Sequence, residues 1–122
     1  MKHKVIMIPI GFERLSQKYW PKDSKVLGYV TEAALTGTLW KDKEGNIEVM
    51  KGLLAEDETF VIEHCQPQLL ERLVPILKSD VVYKRLEYGK LEYPIKAKLI
   101  FFSQPFVPSE NIKSVFEIEE VK

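Results

Sequence analysis

The clearest pattern in the chain runs from Glu58 to Lys78, where a two-residue period gives way to a helical one. Phe60 and Ile62 alternate with Thr59, Val61 and Glu63, as in a strand with one buried face and one mixed face. Pro67 then suits the first helical position, where a missing N–H costs nothing. Leu69, Leu70, Leu73, Val74 and Leu77 recur at three- and four-residue intervals and form one apolar stripe. Pro75 interrupts this stripe. Inside a helix it removes a hydrogen bond and crowds the carbonyl of Glu71, at a cost of about 3 kcal/mol. The pattern therefore predicts a short helix over 67–77, about two turns followed by a kink.

On either side the sequence is β-like. Val5 to Ile10 is apolar without alternation, as in a strand buried on both faces, and Pro9 marks either its end or an outer position. Phe12 to Tyr19 suits one or two helical turns before a Trp20-Pro21-Lys22-Asp23 loop. Val26 to Lys41 reads as one long strand bent at Gly28 and Gly37. Residues 41–46 form a hairpin loop with Gly45 at positive φ, and Ile47 to Leu54 return as a strand with a bulge at Gly52. After the helix, Val81 to Leu86 is a strand and 87–92 a loop around Gly89. In 93–102, Ile95, Ala97, Leu99 and Phe101 alternate with Lys96, Lys98, Ile100 and Phe102. Val115 to Val121 closes the chain as a final strand, with Phe116 and Ile118 on one face.

Without its ends, the order is three strands, a helix and two strands. Over about residues 27 to 102 this resembles the element order of the oligonucleotide/oligosaccharide-binding (OB) barrel, a five-stranded Greek key. The resemblance implies a mostly β, OB-like barrel with one short helix and additional N- and C-terminal strands. An open antiparallel α+β sheet covered by the same helix is the alternative. Residues 1–122 are expected to form a single domain, since that length buries a core without staples. The two terminal strands are expected to pair with each other or with the barrel, in a monomer rather than a homodimer.

Composition narrows the function classes. Eighteen basic and eighteen acidic residues cancel, which removes any general attraction to nucleic acid or anionic lipid. The charges are unevenly spread, however. Segment 41–63 holds three basic and seven acidic residues, whereas 78–98 holds six basic and three acidic. A single cysteine, Cys65, excludes an internal disulfide and points to a reducing setting. No apolar run reaches membrane-spanning length and no signal peptide is legible, so a cytoplasmic location without membrane contact is expected.

Candidate chemistry is sparse. Cys65 lies beside His64, but neighbours in an extended segment point to opposite faces and cannot form a thiolate–imidazole pair. Two histidines and one cysteine show no zinc-ligand spacing. The six glycines are isolated, so no phosphate cradle is present. The chain is accordingly expected to be no enzyme, with no catalytic residue, metal or cofactor. Trp40, Tyr88 and Tyr93 flank loops beside Lys43, Lys84, Arg85 and Lys90. On an OB-like face these seven would be the binding residues, the aromatics stacking bases and the cations meeting phosphates. The expected function is a non-catalytic module for protein interaction or assembly, with single-stranded nucleic-acid binding as the alternative. Zero net charge and the acidic 41–63 segment weigh against phosphate.

Overall fold

The computed structural model describes residues 3–87 and 89–121. In chain order its elements are β1 (His3–Met7), a 3-10 segment (Glu13–Tyr19), β2 (Lys25–Leu27), α1 (Glu32–Thr36), β3 (Gly37–Lys41) and β4 (Ile47–Lys51). A 3-10 turn (Leu53–Ala55) leads to β5 (Thr59–Ile62), α2 (Pro67–Ser79), β6 (Val81–Leu86), β7 (Gly89–Pro94), β8 (Lys98–Ser103), α3 (Glu110–Val115) and β9 (Phe116–Glu120). Five strands form one parallel sheet in the order β2-β5-β8-β1-β9, and β3-β4 and β6-β7 are separate antiparallel hairpins. The fold is thus mixed α/β, with several sheets and no closed barrel.

This corrects the OB-like expectation. A Greek-key barrel needs antiparallel neighbours, whereas β1, β2, β5, β8 and β9 all run the same way. Parallel strands require crossover connections. The helix–hairpin segments between β2 and β8 provide them. Along the strands, Phe60, Ile62, Leu99 and Phe101 turn to one face with the three helices and both hairpins. Val61, Ile100, Phe102, Ile6 and Ile8 turn to the other, under Tyr19 and Trp20. Burial on both faces explains why β1 and β8 are continuous apolar runs.

Several local expectations change for the same reason. The long strand over 26–41 is broken, because Thr31 accepts the Ala34 N–H at 3.1 Å and caps α1. Residues 93–102 split where the chain leaves the β6–β7 hairpin for the main sheet. There the Leu54 carbonyl takes the N–H groups of both Lys96 (2.9 Å) and Ala97 (3.3 Å). The loop expected over 87–92 is largely strand, since Lys90 to Glu92 pair with Arg85 to Tyr83. Helix α2 continues through Pro75 to Ser79. Pro75 and Glu71 both lie on its exposed side, so the carbonyl freed by proline faces water. Helix α3, not foreseen, is capped by Ser109, whose hydroxyl also binds the Glu71 carboxylate and so ties α3 to α2.

The terminal strands pair with each other, β1 lying between β8 and β9. Pro9 marks the end of β1 and not an outer position, because β1 is central. The β1–β8 seam is extended by His3, which is buried and whose Nδ1 accepts the Leu99 N–H at 3.0 Å. Burial holds its pKa at about 4, with Lys98 lowering it further and Asp80 opposing.

At the hairpins, Gly37 has φ 102°, and a Cβ there would lie 2.3 Å from the Met50 carbonyl oxygen. Gly52 is equally tight: an added Cβ would sit 2.2 Å from the carbonyl oxygen of Leu35. Gly52 is therefore a close backbone approach where a bulge was expected. We expect Gly52→Ala to destabilise by at least about 2 kcal/mol, because backbone and not a flexible side chain must yield. Urea unfolding of the variant checks this. His3 gives a pH prediction. Its folded pKa lies below the ordinary 6.5, so the unfolded chain binds more protons between pH 4 and 6.5. The contribution is full above pH 6.5 and is lost as pH falls through 4, about 3 kcal/mol at most. Urea midpoints at pH 7 and 4.5 should show this loss in the parent chain and not in His3→Asn.

Candidate functional site

The seven residues expected to bind do not share one surface. Tyr93 is buried, its hydroxyl donating to the Thr36 carbonyl at 2.6 Å and accepting the Gly52 N–H at 3.3 Å. The Lys84 ammonium donates to the Gly37 carbonyl at 2.7 Å. Both side chains hold the hairpins together. Arg85 alternates to the opposite face from Lys84, where Lys90 faces it across the ladder and pairs with Glu92 at 3.5 Å. Trp40 is exposed on β3, opposite Glu48, while Leu39 turns inward. Lys43 lies in the exposed hairpin loop. Tyr88 lies outside the described residues.

A different place collects polar groups. β1 and β8 are neighbours, yet their outgoing connections cover opposite faces of the sheet: the Glu13–Tyr19 segment on one, α3 on the other. Such a switch point leaves a crevice beyond the carboxyl ends of the strands. It is present here and encloses about 1100 Å³. Its walls come from residues following four strands: Ile8 after β1, Tyr29 to Ala33 after β2, Glu63 to Leu69 after β5, and Phe102 to Phe106 at the end of β8. Glu13, Ser16 and Arg72 complete it. The β2–β5 ladder holds the floor in place beyond the strand ends, with Glu63 N–H on Leu27 O and His64 N–H on Gly28 O, both at 2.9 Å.

Three acidic residues (Glu13, Glu32, Glu63) and one arginine (Arg72) line this space. Among the described residues none of the four is in an ion pair. The Gly11 N–H, 3.1 Å from Glu13 Oε1, holds that carboxyl below the usual range. The rim is apolar. Ile10 and Phe12 in the loop after β1, Tyr29 after β2 and Val107 after β8 are 70%, 58%, 77% and 95% exposed.

The crevice holds His64 and Cys65, and the Cys65 thiol is held protonated. Burial pushes the Cys65 thiol up to about 12, and its Sγ donates to the Gln66 carbonyl at 3.4 Å. Among the described residues no group of three or more His, Cys, Asp or Glu is disposed to hold a metal ion. No described helix is long and apolar enough to cross a membrane. Sequence reasoning missed the crevice because its residues are spread over the whole stretch from Ile8 to Phe106 and only strand order joins them. The available signal was the polar segment ending each apolar run, notably Glu63-His64-Cys65-Gln66.

No protein-family model matches the chain, and no curated protein is significantly similar to it.

The raised Cys65 pKa has a direct readout. Moving a thiol from the ordinary 9.0 to about 12 lowers its thiolate fraction near pH 8 roughly a thousandfold. Alkylation by iodoacetamide should be slower than for free cysteine by two orders of magnitude or more, and should recover in urea.

Proposed function

We propose that this chain is a non-catalytic protein-interaction module that takes an extended segment of its partner in the crevice at the carboxyl edge of the parallel sheet. One observation carries the reading: at the switch point, the segments following four strands line a space of mixed polar and apolar character, and Ile10, Phe12, Tyr29 and Val107, in or next to those segments in sequence, are exposed. Exposed apolar side chains in the segments that form a cleft suit a macromolecular partner better than a small solute. Tyr29 and Phe12 are the aromatic anchors, and such residues carry most of the affinity at interfaces.

A protonated Cys65 supports the non-catalytic part of this reading, since the thiolate is the nucleophile. Single-stranded nucleic acid has less support. Carboxylates with no ion-pair partner among the described residues line the crevice and repel phosphate, and Lys84 and Lys90 are engaged within the hairpins. The apolar residues exposed on β3 and β4, Trp40 and Met50 among them, stand apart from the crevice.

The test is a comparison of two variants against a partner isolated from the native source. Combined Phe12→Ser and Tyr29→Ser should weaken binding at least about tenfold, whereas Trp40→Ser should stay within about twofold. The reverse ranking would move the interface to the hairpins. Tight, salt-sensitive binding of a mixed-sequence single-stranded oligonucleotide would overturn the protein-interaction reading.

A further inference from the structure

We infer that the crevice is selective for a basic side chain, a lysine or arginine presented by an extended segment of the partner. The inference rests on the crevice being the binding seat and adds what it recognises.

The first argument is charge. Glu13, Glu32 and Glu63 line the space, and none has a cationic partner within ion-pair reach among the described residues. Against them stand Arg72 and the amino end of α2, worth about half a positive charge. Three negative charges against about one and a half leave the space anionic. That helix end is also a poor anion seat. Pro67 has no N–H to offer, and the Leu69 N–H is taken by the Gln66 carbonyl at 3.0 Å. The balance disfavours a carboxylate or phosphate guest and favours a cation.

The second argument is an unpartnered donor–acceptor. Ser16 is 8% exposed and faces the crevice, and its hydroxyl has no hydrogen-bond partner among the described residues. The hydroxyl is open to the crevice and not sealed in the core, and a hydroxyl accepts from an ammonium or guanidinium. The third is shape. Ile8 and Phe102 form an apolar stretch of wall, so a long aliphatic stem runs along them while its charged head reaches the carboxylates. A compact inorganic cation would use no such wall.

The experiment titrates the 15N-labelled chain with acetyl-Ile-Arg-Ile-amide and, separately, with its glutamate counterpart, following backbone amide shifts. The arginine peptide should move the amides of residues 13–16 and 63–69, with a dissociation constant in the low millimolar range typical of about 4 kcal/mol. The glutamate peptide should move none of them. Glu13→Gln with Glu63→Gln, which keep shape and remove charge, should weaken the arginine peptide about fivefold. Equal binding of both peptides at these amides would overturn the cation preference and leave the crevice as the seat. Neither peptide shifting these amides would overturn the inference outright. Failure of the interaction reading is distinct, because it would appear as full partner binding by the Phe12 and Tyr29 double variant.

Discussion

The central place of β1 is the constraint on which the rest depends. Its backbone is bonded on both sides, to β8 in register Lys4↔Ile100 and to β9 in register Lys4↔Glu117. Its side chains fill both layers, Val5 and Met7 in one and Ile6 and Ile8 in the other. Parallel neighbours cannot be joined by tight turns, so every later strand of this sheet must be reached by a crossover. β1 leads away to the far edge under Tyr19 and Trp20, and the return uses the opposite face. The divergence of these two paths opens the crevice. The same strand that fills the core thus also decides where the chain has room for a ligand.

The two hairpins are a second, smaller constraint attached to the first. Gly37 and Gly52 let β3, β4 and the end of α1 approach more closely than any side chain permits. The Tyr93 hydroxyl then serves the Thr36 carbonyl and the Gly52 N–H at once. Lys84 closes the same knot through the Gly37 carbonyl, and Lys51 lies 5.8 Å over the Tyr93 ring. Aromatic and cationic residues beside loops resemble a binding surface when read in sequence. Here, two of them are the fastening, because a buried backbone polar group needs a partner wherever chains cross this closely.

Electrostatics also differs between the chain and its fold. Equal numbers of basic and acidic residues suggest indifference to charged partners. The fold segregates them. Glu56 and Glu58 pair with Lys25, and Glu119 pairs with Lys4, while the three carboxylates at the crevice have no ion-pair partner among the described residues. A local potential of one sign inside a neutral molecule steers recognition without the nonspecific attraction that net charge brings.

The sequence by itself determined the local elements whose causes are local. Alternation placed β5 and the facing of β8 and β9, Pro67 began α2, and Gly45 with φ 87° turned the β3–β4 hairpin. It also marked Val5 to Ile10 as buried on both faces, because an apolar run without alternation has no polar side to turn outward; Val5 to Ile8 are buried so, whereas Ile10, beyond Pro9, is exposed. It did not reveal that α1 interrupts residues 26–41, since a cap at Thr31 competes with strand-like neighbours and only packing against the core settles the contest. Strand direction was undetermined too: period-2 patterning is the same in parallel and antiparallel pairs. Only the tertiary structure put the first strand in the middle of the sheet, and with it the crevice. Ile8, Tyr29, Glu63 and Phe106 become neighbours through non-local pairing, and no spacing along the chain records that.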